Sequence, residues 1–391
     1  MNRQFYLRLH RYAGLSMAFF LTVAGLTGSI LAFYPELNAR CQPPTRISPG
    51  STLLNPFDLR ERALAAEPNA RIDVVVFNLA PDQAYIAHLE GSRYEQLELN
   101  PYSGEIIKRL SPARPDAEPL TPHKILNFIY KLHFSLALGT PKQTLLGITA
   151  LIWTFDCFIG FYLTLPKHLR PLNRLGPRWS IAWDIKWRAS RQRLNFDIHR
   201  AGGLWTWPLL LLFAWSSVAF NLYDAVYQPL MSSLFTLPDP STFPRPRLPA
   251  PQPEPGLSWR TAHRLGQSLM AAQAQHRHFK VLREELLFYD PDTAVFGYQV
   301  RSDRDLGTGI GASVVYFDAN NGGFVNLSLA TGQYAGKTIS TWLMQLHTAR
   351  WGGLPYKLLV CATGLAVAIV SLSGVYIWRQ KHRAIKHKAA C

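Results

Sequence analysis

The 391-residue sequence contains only four cysteines, and none of them forms a CxxC or CxxCH motif. This excludes a cysteine zinc site of the usual spacing and the covalent attachment of a c-type haem. The sequence also lacks a GxGxxG motif after a strand, a GxxxxGK[ST] loop, and the HExxH and GxSxG motifs of hydrolases. An enzyme that uses a soluble nucleotide cofactor is therefore not indicated.

Acidic residues are scarce in three segments, which carry most of the net charge of +16. Residues 1–11, 167–198 and 379–391 together hold sixteen lysines and arginines against two aspartates. Positive charge concentrates in the cytoplasmic segments of membrane proteins, so both termini are expected inside, and the nearly neutral segments 36–140 and 224–354 outside. The basic balance thus indicates topology and not a nucleic-acid partner.

Four apolar runs reach the length of about 20 residues that a bilayer requires. They are Tyr12–Pro35, Pro141–Leu165, Ala201–Tyr223 and Pro355–Trp378. The first run is longer than the apolar core of a signal peptide and lacks a small-x-small cleavage site, so we expect an uncleaved anchor. The sequence predicts a multi-pass membrane protein.

The chain also contains an internal repeat. A shift of 189 residues places "HRYAGL" on "HRAGGL", and a shift of 214 residues places His133 on His347 and Pro141 on Pro355. Each half then consists of a membrane helix, an outer segment, a short interfacial helix and a second membrane helix. Two membrane helices return the chain to the same side, so the repeats are expected to be parallel and related by an axis along the membrane normal.

Each outer segment has an α+β pattern. In the first, "FDLRERALAAEP" predicts a helix, and "ARIDVVVFNL", "AYIAHLE", "YEQLELN" and the end of "NPYSGEII" predict strands. In the second, "SWRTAHRLGQSLMAAQ" predicts the helix, and "HFKVLREELLFY", "AVFGYQVRS" and "ASVVYFDANNGGFVNL" predict strands. The proline-rich stretch before the second segment is expected to be a semi-rigid linker.

Together these features resemble the PepSY-associated transmembrane family. The resemblance rests on "LHRYAGL" followed by "AFYPELN", on the helix-plus-strands module that ends in "NPYSGEI", and on the "LH" before the second helix of each half. It covers nearly the whole chain. It implies an iron-regulated bacterial inner-membrane protein and, in the best-known branch, a di-haem ferric-siderophore reductase of the FoxB type.

The predicted fold is a membrane α+β protein, in which a tandem parallel repeat forms a four-helix transmembrane bundle with two periplasmic PepSY-like α+β domains. The predicted boundaries are transmembrane helices at 1–35, 141–166, 199–224 and 355–378; PepSY-like domains at 36–122 and 257–336; interfacial helices at 123–140 and 337–354; a basic cytoplasmic loop at 167–198; a proline-rich periplasmic linker at 225–256; and a basic cytoplasmic tail at 379–391.

Four histidines form two pairs under the repeat. His10 and His199 lie at the inner ends of the first and third helices, whereas His133 and His347 lie outside, on the short helices. The axis makes each histidine face its repeat partner, as bis-histidine ligation of a haem iron requires. A lone histidine at a membrane interface more often anchors or caps a helix. Two matched pairs favour axial ligation of two b-type haems, in agreement with the resemblance.

Three arginines are candidate partners of haem propionates, because a guanidinium group forms bidentate bonds with carboxylates. Arg11 and Arg200 directly follow the inner histidines, and Arg350 lies three residues after His347. The positive-inside rule accounts for the two inner arginines equally well.

Asp156 is the one acidic residue deep within a membrane helix, where a carboxylate is costly. Two interpretations remain open. In the first, Asp156 relays a proton or contacts a haem edge. In the second, it is neutral and bonds to a hydroxyl across the bundle, such as that of Thr27 or Ser216.

The resemblance implies that a quinol or a cytosolic reductase supplies electrons to the His10–His199 haem, and that they pass through the His133–His347 haem to a ferric siderophore docked between the outer domains. Membrane lipid is the other expected partner. Three alternatives remain: a non-redox permease or siderophore uptake accessory, a regulatory protein whose PepSY-type domains bind peptides, and a haem protein with another acceptor.

Overall fold

The computed structural model describes residues 2–111, 120–136, 140–167, 170–171, 174–238 and 244–390. The chain divides into two compact units. The helical unit comprises Met1–Cys41, Thr121–Leu234 and Trp342–Cys391, and the sheet unit comprises Gln42–Leu120 and Phe235–Thr341. Each unit therefore takes segments from both halves of the repeat.

The helices lie close to the positions that the apolar pattern predicts. Asn2 caps the first helix by accepting a hydrogen bond from the backbone N–H of Gln4. In chain order the helices are α1 (Arg3–Leu31), α2 (Tyr34–Cys41), α3 (Pro56–Ala66), α4 (Pro122–Ser135), α5 (Thr140–Thr164), α6 (Leu175–Trp183), α7 (Arg191–Trp205), α8 (Trp207–Asn221), α9 (Gln228–Leu234), α10 (Trp259–Arg277), α11 (Ala335–His347) and α12 (Gly353–Ala390).

Among the described residues, three helices are long and apolar enough to cross a membrane, namely α1, α5 and α12. Helices α7 and α8 make a fourth span only when taken together, and they are bent by 68° with respect to each other. The single helix predicted at 199–224 is corrected to this bent pair. Pro208 gives the reason, because it lacks an N–H group and its ring would clash with the carbonyl of Leu204 in a straight helix.

The sheet unit contains two antiparallel sheets. A five-stranded sheet has the order β1-β5-β6-β7-β8, and a three-stranded sheet has the order β2-β3-β4. The strands are β1 (Val74–Val76), β2 (Tyr85–His88), β3 (Gln96–Leu99), β4 (Ile106–Leu110), β5 (Val281–Asp290), β6 (Val295–Ser302), β7 (Ser313–Asp318) and β8 (Phe324–Ser328). Strands β1, β2, β3, β6 and β7 fall within the predicted stretches, whereas β4, β5 and β8 extend past the ends of theirs. The single stretch "ASVVYFDANNGGFVNL" contains both β7 and most of β8.

The two outer segments share a sheet and do not form the separate domains predicted at 36–122 and 257–336. Strand β1 of the first segment pairs with β5 of the second, with Val75 opposite Leu287. Phe57 and Val75 are buried in the same apolar cluster as Leu287 and Phe296. At this seam, apolar side chains occupy the position where a cleft between separate domains was expected.

Several predicted boundaries shift. The proline-rich linker predicted at 225–256 begins in a π-helical turn (Tyr223–Tyr227) that leads into α9, and Tyr227 and Met231 in these two elements are buried. The basic loop at 167–198 contains α6 and the first half of α7, and α11 begins two residues before the interfacial helix predicted at 337. The end of the interfacial helix predicted at 123–140 lies partly outside the described residues.

We predict that Phe296→Ala destabilises the five-stranded sheet by about 3–5 kcal/mol, because it removes a fully buried aromatic ring and leaves a cavity. Amide hydrogen exchange of β6 and β7 in the full-length protein measures this loss. Leu282→Ala is the matched control in the neighbouring strand β5. Its side chain is 59% exposed, so a loss above about 0.5 kcal/mol would contradict the assignment of the core.

Candidate functional site

Two pairs of histidines lie next to each other within the helical unit. In site A, His10 of α1 and His199 of α7 have ring centres 6.0 Å apart and ring planes inclined by 58°. In site B, His133 of α4 and His347 of α11 have ring centres 6.2 Å apart and ring planes inclined by 63°. The structure brings together both pairs that the repeat predicts, and each pair joins one half of the chain to the other.

The Nδ1 atoms in site A are held by residues of α5 and α12. His10 Nδ1 lies 2.8 Å from Oδ1 of Asp156, which is buried. His199 Nδ1 lies 3.0 Å from the backbone carbonyl oxygen of Val370 and 3.0 Å from the hydroxyl oxygen of Ser373. Val370 is the repeat counterpart of Asp156 at the offset of 214. The same helix position therefore contacts both histidines, but through a carboxylate in one half and a carbonyl in the other.

Site B uses hydroxyl groups in both halves. His133 Nδ1 lies 3.0 Å from the hydroxyl oxygen of Thr27, and His347 Nδ1 lies 2.6 Å from that of Ser216. Thr27 and Ser216 correspond at the offset of 189. Both hydroxyls bond to histidines, and the carboxylate of Asp156 bonds to His10. The second interpretation of Asp156 expected a hydrogen bond to the hydroxyl of Thr27 or Ser216. The observed partner of Asp156 is instead the imidazole of His10.

Hydrogen bonds of the hydroxyl groups determine the tautomer of three imidazoles. Thr27, Ser216 and Ser373 each donate to a backbone carbonyl three or four residues earlier, at 2.7, 2.7 and 2.8 Å. With its proton used in this way, each hydroxyl oxygen accepts the proton of the Nδ1–H group. The lone pair of each imidazole then lies on Nε2, which is the arrangement of a metal-binding histidine with a fixed outer partner.

Burial also keeps the imidazoles of site B neutral. It lowers the pKa of His133 to about 4 and that of His347 to about 3. Because both values lie well below 7, the lone pair needed for a metal is present at physiological pH.

Glycine residues bring helix backbones against three of the rings. A Cβ atom on Gly28 would lie 3.1 Å from Cε1 of His133, and one on Gly374 would lie 3.1 Å from Cε1 of His199. Gly160, the repeat counterpart of Gly374, stands in the same relation to His10 at 3.4 Å. A Cβ atom at Gly28 or Gly374 would require the ring to shift by a few tenths of an ångström, whereas one at Gly160 would lie in van der Waals contact. The glycines therefore allow close packing of the helix backbones on the rings.

The spacing of the rings fits an iron atom between them. Two imidazoles that bind one metal ion from opposite sides, each through a bond of about 2 Å, have ring centres about 6 Å apart. The described residues contain no group of three or more His, Cys, Asp or Glu side chains that could hold a metal ion. Two protein ligands per site suit a metal whose other ligands come from a macrocycle such as haem.

Each site borders a mainly apolar cavity, of about 290 Å³ at site A and about 590 Å³ at site B. Leu21, Trp153 and Val367 line both cavities and form a wall between them. Gly14 and Gly203, each four residues after a histidine of site A, line its cavity, and neither has a neighbour within 4 Å of its would-be Cβ. These glycines leave open the face on which a planar group would lie.

Comparison with known proteins identifies the family. The family model described as the PepSY-associated TM region matches residues 7–381. The chain belongs to the PepSY-associated transmembrane family. No curated protein matches its sequence significantly. The predicted family is therefore confirmed, and the apolar helices make this PepSY-associated protein a multi-pass membrane protein.

The three arginines predicted as propionate partners differ in their surroundings in this PepSY-associated protein. Arg11 lines the cavity of site A, and Arg350 lines that of site B. Arg200 also lines the site A cavity, but its guanidinium group already has four acceptors. They are the carbonyl oxygens of Ile181, Ala182 and Asp184 and the carboxylate of Asp197. Arg200 therefore holds the α6 segment to α7, which makes it the weakest of the three candidates.

The sequence did not predict that Thr27, Ser216 and Ser373 lie at the Nδ1 atoms of the paired histidines. Thr27 and Ser216 could have been found as a pair, because they coincide at the same offset as His10 and His199. Ser373 has no such signal, since its counterpart in the first half is Ile159.

We expect Thr27→Val to weaken haem binding at site B by about 10- to 100-fold, because it keeps the side-chain shape and removes the acceptor of His133 Nδ1. Haem transfer from the purified protein to apomyoglobin measures the rate of loss. Thr22→Val is the matched control on α1, since the one hydrogen bond of the Thr22 hydroxyl among the described residues goes to the carbonyl of Ala18. Equal rates of loss from the two variants would show that the hydroxyl of Thr27 does not support a ligand.

Proposed function

We propose that this protein is a transmembrane haem-dependent oxidoreductase of the bacterial inner membrane. In this proposal it holds two bis-histidine b-type haems and moves electrons from a quinol or a cytosolic reductase to a ferric siderophore in the periplasm. Reduction to Fe(II) releases the metal, because siderophores bind Fe(II) far more weakly. The proposed assignment is to the FoxB-type branch of the family.

One observation carries this proposal. Four imidazoles form two pairs with ring centres 6.0 and 6.2 Å apart, and every Nδ1 atom has a buried or partly buried oxygen partner. A histidine that only caps a helix or contacts headgroups has no need for a second imidazole at this distance. Axial ligation of a metal accounts for both features at both sites.

The residues of the chain have distinct roles in this function. His10 and His199 hold one haem, and His133 and His347 hold the other. The bound haems supply one-electron transfer. The oxygen atoms bonded to Nδ1 keep the imidazole rings in one orientation. The apolar walls of the cavities exclude water, and this low-polarity environment disfavours a net charge at the bound metal.

The distribution of charge supports the direction of transfer. Site A lies next to the basic segment that starts the chain, which is expected to be cytoplasmic. His10 lies near the start of α1, whereas His133 and His347 lie just before α5 and α12. A chain that crosses the membrane inward to outward in α1 enters α5 from the outside, so site B lies at the opposite ends of the helices from site A. We therefore propose that the donor approaches site A and the ferric chelate approaches site B.

We predict that the detergent-purified protein contains two b-type haems per chain, as counted by pyridine haemochrome. His133→Ala is expected to reduce the count to one, because it removes a ligand from site B alone. His276→Ala changes an exposed histidine outside both sites and is expected to leave the count at two.

The dithionite-reduced protein, mixed with a ferric siderophore and an Fe(II)-specific chromophore, is expected to release Fe(II), whereas the His133→Ala protein is expected not to. A colourless protein from haem-supplemented cells would refute the reductase and favour the peptide-binding regulator. Two haems without Fe(II) release would retain the electron path and exclude this acceptor.

A further inference from the structure

The two sites differ in the charge of the groups behind their ligands. In site B the Nδ1 atoms of both histidines lie within hydrogen-bond distance of hydroxyl oxygens, and Nδ1 of His199 lies near a carbonyl and a hydroxyl. His10 alone faces a carboxylate, at 2.8 Å. Asp156 has a side-chain exposure of 7%, and its one hydrogen-bond partner within the described residues is His10. The repeat places Val370 at this position in the second half, so the carboxylate is specific to one ligand of four.

A buried carboxylate changes the electronic character of the imidazole that it contacts. It accepts the Nδ1 proton more strongly than a hydroxyl does, so more negative charge reaches Nε2 and the ligand becomes more basic. A more basic axial ligand and a nearby negative charge both stabilise the oxidised state of a haem iron relative to the reduced state. The direction of the effect is therefore a lower reduction potential.

Positive charges near site A act in the opposite direction and have to be weighed. Arg200 lines the same cavity, but its guanidinium is paired with the buried carboxylate of Asp197 at 2.9 Å. Arg11 and Lys381 also line the cavity. Neither is hydrogen-bonded to a ligand histidine among the described residues, whereas Asp156 is. The carboxylate thus has the most direct path to the metal centre.

We propose that Asp156 is a positioning residue that lowers the reduction potential of site A below that of site B. This inference rests on the proposed function, because it requires haem at both sites. One electron leaves the reduced site A and arrives at the oxidised site B, and no bond is made or broken. The asymmetry of one carboxylate therefore makes transfer from site A to site B favourable.

Spectroelectrochemical titration of the purified two-haem protein and of Asp156→Asn tests the proposal. Asparagine keeps the shape and one acceptor oxygen and removes the charge. We expect the equilibrium between oxidised and reduced site A to shift at least tenfold toward the reduced form, which is about 59 mV for a one-electron couple. The step of site B is expected to stay in place, and only one of the two low-spin EPR signals is expected to move.

Ser373→Ala is the matched control, because it removes a neutral acceptor from the other ligand of site A while the carbonyl of Val370 remains. A shift in Asp156→Asn no larger than that in Ser373→Ala would overturn the proposal. If Asp156→Asn does not load haem, the titration of the unaltered protein is compared with those of His10→Ala and His133→Ala. The proposal requires that the reduction step at the lower potential disappears in His10→Ala. Its disappearance in His133→Ala instead would overturn the proposal.

The two failures are distinguishable. A haem-free protein contradicts the proposed function and this inference with it. A protein with two haems and an unmoved potential in Asp156→Asn contradicts the inference alone.

Discussion

The hydrogen bond at Nδ1 of each paired histidine is the interaction on which the site depends. An imidazole without it would rotate about its side-chain torsions and exchange tautomers, and its Nε2 atom would not be a defined ligand. The bond is possible because Thr27, Ser216 and Ser373 have already donated their protons to helix carbonyls and can only accept. A hydrogen bond within one helix of the helical unit thus determines the tautomer of an imidazole that belongs to another helix.

Each half of the chain supplies two histidines, each with its own acceptor. Asp156 serves His10 and Thr27 serves His133 in the first half, while residues 216 and 370–373 serve the ligands of the second. Pairing of the halves then creates two sites and requires no new residue. At the partners of the site A histidines the two halves differ in charge, because His10 contacts the carboxylate of Asp156 and His199 contacts the backbone carbonyl of Val370.

The repeat made the pairs of histidines predictable, because residues at equivalent positions of the two halves lie opposite each other when an axis relates the halves. It could not predict the pairing of β1 with β5, since edge-strand pairing depends on which backbone groups remain free after each half has folded. The sequence contains a signal for the bend, because Pro208 interrupts helical hydrogen bonding. The prediction of a straight helix followed the continuous apolar run and gave this proline too little weight. The bonds of Arg200 were not readable, because their acceptors are backbone carbonyls that any sequence provides.

The shared sheet constrains how the two halves can work. Since Phe57 and Val75 of the first half are buried with Leu287 of the second, separation of the outer segments would expose a continuous apolar core. The helical unit has the same property, because its close glycine contact between α1 and α12 also joins the halves. Neither unit can open along the repeat boundary without losing its core. An alternating-access cycle that rocks one half against the other would have to break these buried contacts in both units.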